Sequence, residues 1–379
     1  MRTLRQLHDI EARRILLRVD YNLPISEGKI EDETRIIESL DTVRYLLDHR
    51  ARLIMCTHLG RPEGKPDPAL RLDPIIKRFR SLLDERGIET AIRKANEIVG
   101  NEVEQLVEAT KPGEIAFLEN VRFDPREEQN EPQFSAELAK LAESYVDDAF
   151  GAIHRAHAST VGVAKLLPIY AGLLVEREVE HLEYLKNKPD HPFVVVLGGA
   201  KPDDKIAMIQ SLRQRVDTFL VAGGIANTFL QAMEDDIQES LVGDDKALAT
   251  AKELLPVLGE KLVLPVDFVW EGKKIMDVGE KTIALFEKHL MRAKTIFWNG
   301  NLGKSEEKRF AKGTRAIAKA IAASRAHSVV GGGDTVAAID QYGLRQHISF
   351  ISTGGGATLE FLAGKSLPGL EVLGYRPKG

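Results

Sequence analysis

The sequence has little cysteine and no long apolar run. Its single cysteine, Cys56, has no partner within the chain for a disulfide, which agrees with a reducing compartment. No apolar stretch is long enough to cross a bilayer. The N-terminal segment alternates charged and apolar residues, whereas a secretory signal needs an unbroken apolar stretch. These absences predict a cytoplasmic protein that does not associate with membranes.

The sequence also contains fewer basic than acidic residues. The chain has 52 Lys and Arg against 57 Asp and Glu, a net charge of -5, and a pI near 6.1. This balance argues against nucleic-acid binding, although a local basic patch could still hold a small anion.

Low-complexity segments and short repeats are missing, which excludes solenoid folds. A chain of 379 residues exceeds what one hydrophobic core usually serves, so we expect two domains.

The chain alternates short apolar runs with amphipathic segments. Apolar positions between 36 and 47 recur at helical spacing, which predicts a helix there. Runs that resemble buried strands occur throughout, at 14–20, 52–57, 114–118, 145–150, 193–197, 218–221, 262–266, 295–298, 328–330 and 348–352. Strands alternating with helices predict an α/β fold of parallel sheets, doubly wound with helices on both faces.

The boundary between the two halves is predicted near the middle of the chain. Residues 170–187 have the pattern of one continuous helix, and the segment Lys188–Pro192 ends it before a new strand begins. We therefore expect a first domain over 1–172, an interdomain helix over 173–188 and a second domain over 189–365.

In the first half, polar and cationic residues follow the predicted strands, where open α/β sheets bind ligands. Taken singly, each such residue is more often a surface or capping group. Their convergence from several strand ends favours a small ligand with several anionic oxygens, which arginine binds in a bidentate way. The candidates are Asp20, Asn22, Arg35, His58, Arg61, Arg122, His154, Arg155 and His157.

In the second half, glycine follows the predicted strands. Backbone N–H groups at such turns bind anions, and glycine lets a phosphate approach closely. Lys201 and Lys205 would add mobile positive charge, and Asp334 is a carboxylate suited to hold Mg²⁺ beside phosphates. The glycine turns lie at 198–199, 223–224, 331–333 and 354–356. Together these features predict a nucleotide-binding domain.

Two familiar nucleotide motifs are missing. Gly364-Lys365-Ser366 looks like the end of a Walker A loop, but Leu359 stands where that loop needs a glycine. A dinucleotide fingerprint beginning at Gly331 would need a glycine at Val336. The sequence therefore argues against a P-loop protein and against a dehydrogenase.

A series of motifs, in chain order, resembles the phosphoglycerate kinase family over nearly the whole chain. Any one of them could arise by chance, but the ordered set could hardly do so. They are RVDYNLP at 18–24, THLGRP at 57–62, LENVRF at 118–123, DAFGAIHRAHAS at 148–159, GGAKPDDKI at 198–206, AGGIANTFL at 222–230, VGGGDT at 330–335 and STGGGATLE at 352–360.

The resemblance implies the fold, the activity and the role of each matched residue. It implies two Rossmann-like domains joined by a long helix and a hinge, with the residues from about 366 to 379 returning to the first domain. It implies a kinase of glycolysis and gluconeogenesis that transfers a phosphoryl group between 1,3-bisphosphoglycerate and ADP, giving 3-phosphoglycerate and ATP. A monomer that uses Mg²⁺ and closes around its two small-molecule ligands is expected.

Residue roles follow from the same resemblance. The phosphoglycerate would be bound by Asp20, Asn22, Arg35, His58, Arg61, Arg122 and Arg155. The nucleotide would be bound by Gly199, Lys201, Lys205, Gly223, Gly224, Glu306, Gly332, Gly333, Asp334 and Thr335. Arg35 and Lys201 would stabilise the transferring phosphoryl group, and Asp334 would bind the metal. No general base is needed because the acceptor carboxylate is already ionised, so the histidines are interpreted as binders, with a structural role left open for His154 and His157.

The chain also departs from the family pattern. Asn301 and Ser305 replace the proline and the aromatic residue of the segment that borders the nucleoside. Pro202-Asp203 replaces Val-Ser after the catalytic lysine, and Asp41 replaces a proline. Two other hypotheses therefore remain: a catalytically silent relative that only binds nucleotide or a protein, and an α/β kinase or synthetase acting on a different carboxylate.

Overall fold

The computed structural model describes residues 1–26 and 28–376 and divides the chain into two compact units. The first unit comprises Met1–Val179 together with the C-terminal segment that begins at Ser366. The second comprises Glu180–Lys365. Residues 377–379, the end of the C-terminal segment expected to return to the first domain, lie outside the described residues.

The first unit is built on a six-stranded parallel sheet in the order β5-β6-β4-β1-β7-β8, and β2 and β3 form a separate antiparallel pair. Its strands are β1 Arg14–Arg18, β2 Ile25–Ser26, β3 Lys29–Ile30, β4 Arg52–Cys56, β5 Ile92–Lys94, β6 Ile115–Phe117, β7 Ser144–Asp147 and β8 Ile169–Ala171. Its helices are α1 Thr34–Asp48, α2 Asp73–Glu85, α3 Asn101–Ala109, α4 Pro125–Glu128 and α5 Pro132–Lys140, followed by α6 Leu173–Asn187, which ends in the second unit.

Alternate residues of the central strands face opposite sides of this sheet, because side chains alternate along a strand. Leu17 of β1 joins one buried cluster with Leu40 and Val43 of α1. Leu16, its neighbour, joins another with Phe134 of α5. The sheet therefore buries both faces, which explains why consecutive residues such as Ile15, Leu16 and Leu17 of β1 are all apolar.

The second unit repeats the architecture with the strand order β11-β10-β9-β14-β15-β16, again all parallel, and an antiparallel hairpin of β12 and β13. Its strands are β9 Phe193–Leu197, β10 Thr218–Val221, β11 Leu262–Val263, β12 Phe268–Glu271, β13 Lys274–Val278, β14 Thr295–Asn299, β15 His327–Gly331 and β16 Phe350–Ser352. Its helices are α7 Asp203–Leu212, α8 Gly223–Ala232, α9 Asp245–Leu258, α10 Glu280–Leu290, α11 Lys312–Ala323, α12 Gly333–Gln341 and α13 Gly356–Leu362.

Short helical turns and one last helix complete the chain. In the first unit, 3-10 turns span Leu4–Gln6, Pro68–Leu70, Val121–Phe123, Phe150–Ala152 and Val163–Lys165, and a π-helical turn spans Ala158–Gly162. In the second, 3-10 turns span Gly259–Lys261, Lys308–Phe310 and Arg345–His347. The final helix, α14 Pro368–Val372, lies in the first unit, where the Gly369 N–H donates to the Ile153 carbonyl at 2.9 Å.

The expected α/β class with doubly wound parallel sheets is confirmed, but the continuous helical pattern predicted over 170–187 begins three residues too early. The residues Ile169–Ala171 form β8 beside β7, and α6 begins only at Leu173. Between them, Gly172 lies so close to Asp148 that a Cβ on it would be 2.1 Å from the carboxylate Oδ1. Three apolar or aromatic residues at a sheet edge are compatible with either element, so the sequence pattern alone could not separate them.

Buried side chains of the first unit fix the beginning of α6. The first N–H groups of a helix have no partner within it. The Leu173 N–H donates to Thr42 Oγ1 at 2.9 Å, and the Leu174 N–H donates to Asp148 Oδ1 at 2.9 Å. Asp148 is fully buried, so the cap holds an acidic group away from water.

No helix in the described parts of the chain, 1–26 and 28–376, is both long enough and apolar enough to span a membrane.

Replacing Asp148 by Asn should stabilise the protein near pH 8 and leave it almost unchanged near pH 4. Burial raises the pKa of Asp148 to about 7, against the opposing hydrogen bonds from Thr42 and the α6 backbone. Because the folded state then holds the proton more tightly, the stability from this group is complete below about pH 4 and is lost as the pH rises through about 7. Asn keeps the acceptor and stays neutral, so we expect a gain of ~1–3 kcal/mol in the free energy of unfolding at pH 8.

Urea unfolding of both proteins between pH 4 and pH 8 measures this difference. The exposed Asp84 of α2 provides the control, since Asp84→Asn should leave the pH dependence unchanged. A difference between Asp148→Asn and the parent protein that stays constant over this range would contradict the prediction.

Candidate active site

The residues predicted to bind phosphoglycerate all belong to the first unit and follow the carboxyl ends of its strands. Asp20 and Asn22 follow β1, and His58 and Arg61 follow β4. Arg122 follows β6 and Arg155 follows β7, while Arg35 is the second residue of α1. Because the strands are parallel, these ends lie at one edge of the sheet.

A buried arginine that was not predicted connects several of these residues. Arg18, the last residue of β1, is 1% exposed. Its Nη2 donates to His58 Nδ1 at 3.1 Å, and its Nε donates to Ser159 Oγ at 2.9 Å. The same His58 nitrogen lies 3.9 Å from Asp20 Oδ1. The sequence did contain a signal, because an arginine inside a strand of otherwise buried apolar residues needs partners.

Arg35 fixes the loop that follows β1. Its Nη1 lies 3.2 Å from Asp20 Oδ2 and donates to the Asn22 carbonyl at 2.7 Å. The Asn22 side chain in turn accepts the Gly60 N–H at 2.9 Å. These contacts join the loops after β1 and β4, so Asp20, Asn22 and Arg35 form one connected group.

Arg122 and Arg61 differ in how firmly they are held. Arg122 is buried, donates through Nη1 to the Gly60 carbonyl at 2.8 Å, and has its Nε 3.1 Å from Glu128 Oε1. Burial, helped by the charge of Arg155, lowers the pKa of Arg122 to about 10, so it stays protonated at neutral pH. Arg61 is exposed, and its guanidinium has no hydrogen bond or ion pair among the described residues.

Burial and the surrounding arginines keep two histidines of this unit neutral. The pKa of His58 falls well below its usual value, first because the ring is buried and then because Arg18, Arg122, Arg155 and Arg35 are near. Burial, together with the charges of Arg122, Arg18 and Arg155, lowers the pKa of His157 to about 4. The positive charge of the cluster therefore comes from its arginines, and the histidines contribute neutral hydrogen-bonding groups.

Glu127 and Ser159 also support this cluster, and neither was predicted to belong to it. Glu127 is fully buried and accepts from Ser159 through both the backbone N–H, at 2.9 Å, and the hydroxyl, at 2.6 Å. Burial raises the pKa of Glu127, and Arg18 opposes that shift. Nearby, Arg155 Nε donates to His154 Nε2 at 3.2 Å. Nothing in the sequence distinguishes Glu127 from the exposed acidic residues around it.

A pocket of about 390 Å³ opens in the second unit, beside the predicted glycine turns. Among the residues predicted to bind nucleotide, it brings together Gly199, Gly223, Gly224, Glu306 and Asp334. The others, Lys201, Lys205, Gly332, Gly333 and Thr335, do not line it. The rest of its wall is formed by Ala200, Asn227, Leu241, Lys274, Ile275, Met276, Asn301, Leu302, Gly303 and Lys304.

Close backbone packing explains the glycine at position 198. A Cβ there would lie 2.1 Å from the carbonyl oxygen of Asn301, and the neighbouring Gly199 N–H donates to that same oxygen at 2.7 Å. Gly199 has φ +89°, a conformation that favours glycine. The Gly224 N–H donates to the Gly199 carbonyl at 3.0 Å, which joins the turns after β9 and β10.

Two helices begin at this side of the sheet with glycine and without a side-chain cap. They are α8, which starts at Gly223, and α12, which starts at Gly333. Their first N–H groups have no acceptor within the helix, and the helix dipole adds partial positive charge there. Such ends bind phosphate groups.

The two lysines of the motif at 198–206 occupy different environments. Lys201 is exposed. Lys205 was predicted to be a mobile charge, and this is wrong, because Lys205 is 7% exposed and its Nζ donates to the Gly198 carbonyl. The Lys205 ammonium group also lies close to Gly199, where an added Cβ would be 3.0 Å from it. Lys205 therefore packs against the glycine turn and stabilises it.

Thr335 and Asp334 are adjacent but face different surroundings. Thr335 is buried, and its Oγ1 accepts the Gly300 N–H at 2.7 Å, so it holds the loop after β14. Asp334 is exposed and lines the pocket, as does Glu306.

A bound Mg²⁺ ion fits this arrangement. Among the described residues, no group of three or more His, Cys, Asp or Glu side chains could hold a metal ion. Mg²⁺ that accompanies a nucleotide needs only one or two protein carboxylates, since phosphates and water fill its other positions. Asp334 in the pocket wall meets that requirement.

Comparison with known proteins decides between the kinases and other nucleotide-binding folds. A family model described as phosphoglycerate kinase matches residues 4–365. The chain belongs to the phosphoglycerate kinase family. As a phosphoglycerate kinase, it transfers a phosphoryl group reversibly between 1,3-bisphosphoglycerate and ADP, a step of glycolysis.

Several relatives match the chain along nearly its whole length. The phosphoglycerate kinase of Moorella thermoacetica is 45% identical over 393 residues, with 98% of each chain covered. That of Thermus thermophilus is 47% identical over 403 residues and covers 98% of this chain and 100% of its own. The predicted family, activity and fold class are therefore confirmed.

Solved structures of phosphoglycerate kinases also share the fold. The structure from Coxiella burnetii matches with a TM-score of 0.82 at 36% identity, with 99% of both chains covered. The structure from Pyrococcus horikoshii matches with a TM-score of 0.87 at 32% identity and covers 99% of this chain and 98% of its own.

Replacing Gly198 by Ala should weaken ADP binding by ~10-fold or more. The added Cβ would meet the Asn301 carbonyl at 2.1 Å, and neither backbone can move without disturbing the turn at Gly199. Calorimetric titration with ADP measures the effect.

Gly356→Ala is the matched control, since a Cβ at Gly356 meets nothing within 4 Å and Gly356 does not line the pocket. Both variants should keep the circular dichroism spectrum of the parent. Unchanged ADP affinity in a folded Gly198→Ala protein would show that the turn does not support the nucleotide.

Proposed function

We propose that the phosphoglycerate binds the arginine cluster of the first unit and that the Mg²⁺ complex of ADP or ATP binds the pocket of the second. The observation that carries this proposal is the chemical contrast between the two surfaces. The first offers guanidinium groups around neutral histidines, which suits a ligand with a carboxylate and phosphates. The second offers uncapped helix ends and a carboxylate, which suits a metal-bound diphosphate.

In the first unit, we assign the phosphoglycerate to the residues of the cluster. Arg61 and Arg155 supply charge to the anionic oxygens, and Arg122 supplies charge from a position fixed by Gly60 and Glu128. His58 supplies a neutral N–H, because Arg18 occupies its other nitrogen. Asp20 and Asn22 position Arg35 and the loop at Gly60.

In the second unit, we assign the nucleotide phosphates to backbone N–H groups of the glycine turns. The N–H groups that would face the phosphates belong to Gly223, Gly332 and Gly333. Gly199 and Gly224, whose N–H groups donate to backbone carbonyls of neighbouring turns, would bind the nucleotide by letting it approach closely, and Glu306 lines the same pocket. Lys205 and Thr335 act by holding the turns at Gly198 and Gly300. Lys201 is exposed just before α7, where its ammonium group has the freedom to reach a transferring phosphoryl group.

Asp334 would hold the Mg²⁺ ion on the nucleotide phosphates. When bound, the ion neutralises charge on the phosphate oxygens and orients them. The pocket wall holds only two carboxylates, Asp334 and Glu306, and no larger ligand cluster occurs among the described residues, which supports this division of coordination between protein and nucleotide.

The reaction needs positioning and charge stabilisation rather than covalent catalysis. A carboxylate oxygen and the β-phosphate oxygen of ADP exchange a metaphosphate-like group in line, so both ligands must be present together. We assign stabilisation of that group to Arg35 and Lys201. No side chain has to remove a proton, which agrees with histidines held neutral by their surroundings.

We further propose a cytoplasmic monomer that acts on small molecules and binds neither nucleic acid nor membranes. The acidic net charge and the single buried cysteine support this. The first unit would be the phosphoglycerate-binding domain and the second the nucleotide-binding domain. Formation of ATP from 1,3-bisphosphoglycerate and ADP by the purified protein tests the function directly, and failure to form ATP would favour a silent relative.

Replacing Arg61 by Ala should weaken 3-phosphoglycerate binding by ~10-fold or more and leave ADP binding unchanged. Arg61 lies in the cluster's β4 loop and has no partner among the described residues, so the change removes charge without breaking a contact. Separate calorimetric titrations with the two ligands measure both affinities.

Arg44→Ala removes an exposed arginine of α1 that pairs with Asp48, and serves as the control for the loss of one positive charge. Equal losses for the two ligands in Arg61→Ala would contradict the assignment of the phosphoglycerate to this unit.

Replacing Asp334 by Asn should weaken binding of the Mg²⁺–ADP complex by ~10-fold or more and change metal-free ADP binding little. Asn keeps the size of the side chain but removes the charge that holds the ion. Titrations with and without Mg²⁺ separate the two effects.

Asp340→Asn on the same helix is the control, because Asp340 is exposed and pairs with Arg345 away from the pocket. If Asp334→Asn retained the full preference for the magnesium complex, the proposed metal site would be wrong.

A further inference from the structure

Two asparagines in the wall of the second unit's pocket have oxygens without a hydrogen-bond donor. Asn227 is 2% exposed and Asn301 is 8% exposed, and both line the pocket. Within the described residues, neither Oδ1 atom has a partner. A buried carbonyl oxygen without a donor loses its hydration and gains nothing in return, so such atoms are rare unless something else satisfies them.

The orientation of Asn227 is fixed by its nitrogen. Asn227 lies on α8, one turn after the uncapped start at Gly223 and Gly224. Its Nδ2 donates to the Leu241 carbonyl at 2.9 Å. This bond determines which side of the carboxamide carries the oxygen, and that oxygen remains an acceptor without a donor.

The side chain of Asn301, in the loop after β14, is likewise oriented by its nitrogen. Its Nδ2 donates to Ser305 Oγ at 2.6 Å and to the Asp334 carbonyl at 3.4 Å. Its backbone carbonyl accepts the Gly199 N–H at 2.7 Å. The side chain therefore lies close to the glycine turn and to the carboxylate assigned to the metal, with its oxygen unsatisfied.

The ligand that completes these groups must bring hydrogen-bond donors. Phosphate oxygens of a nucleotide only accept hydrogen bonds, and the uncapped helix starts already offer N–H donors to them. Donors on ADP are confined to its nucleoside, which carries an exocyclic amine and ribose hydroxyls. The two unsatisfied Oδ1 atoms are acceptors, so they suit the donors of the nucleoside and not the diphosphate.

We propose that Asn227 and Asn301 are specificity-determining residues whose side-chain oxygens accept hydrogen bonds from N–H or O–H groups of the bound nucleoside. This inference rests on the proposed assignment of the nucleotide to this pocket.

Nucleotide analogues that each lack one donor test the proposal. Inosine diphosphate lacks the exocyclic amine, and 2′-deoxy-ADP and 3′-deoxy-ADP each lack one hydroxyl. Calorimetry should show that the parent protein binds at least one of them about 10-fold more weakly than ADP, because an acceptor left unpaired opposes binding. Asn301→Ala and Asn227→Ala should each bind ADP about 10-fold more weakly and lose the discrimination against one analogue.

Ser305→Ala separates this role from simple support of the loop. It removes the hydroxyl that anchors Asn301 Nδ2 but leaves the Asn301 oxygen in place. Discrimination among the analogues should survive in Ser305→Ala. Loss of discrimination in Ser305→Ala equal to that in Asn301→Ala would overturn the assignment of Asn301 as a direct acceptor.

The remaining outcomes are also decisive. If both asparagine variants discriminated among the analogues as the parent does, the proposal would be wrong. It would also be wrong if their ADP deficit appeared only with Mg²⁺, since the donor would then be metal-bound water. Unchanged ADP binding in folded Gly198→Ala would instead overturn the assignment of the nucleotide to this pocket, a failure distinct from that of the asparagines.

Discussion

Both candidate binding surfaces depend on the parallel pairing of strands. In a parallel sheet every strand ends at the same edge, so residues far apart in the sequence meet there. In the first unit this brings Asp20, His58 and Arg122 together from β1, β4 and β6. In the second it brings the turn at Gly199 beside those at Gly223 and Gly300. The helices that connect the strands add their N-terminal ends to the same edges.

The first surface concentrates charge that the protein must stabilise internally. Arg18 is withdrawn from water and bonded to His58 and Ser159, and the carboxylate of Glu127 is buried beside it. A buried charge without such partners would be costly. The neutral state of His58 follows from the same crowding, because another positive charge among the arginines is unfavourable. The unit thus presents a positive electrostatic potential that favours anions. Its buried charged groups, Arg18 and Glu127, have hydrogen-bond partners.

The sequence predicted the parts of the fold that depend on local pattern. The long apolar strands, such as Phe193–Leu197, were identified correctly because burial on both faces leaves an uninterrupted apolar run. The short strands Ile92–Lys94 and Ile169–Ala171 were missed, since three residues at a sheet edge carry too little pattern. The burial of Lys205 could not be predicted either. Its ammonium group is enclosed by the backbone at Gly198 and at Gly300, and Gly300 is distant from Lys205 in the sequence.

The contact that excludes a side chain at Gly198 is made by the backbone carbonyl of residue 301, not by its side chain. Position 198 is therefore constrained in any chain with this backbone, whereas residue 301 can change its side chain and still supply the same carbonyl. The approach to Gly198 thus depends on the course of the backbone after β14 and not on the side chain at 301. A substitution at 301 therefore changes the chemistry of the pocket wall while the backbone contact that excludes a side chain at 198 stays the same.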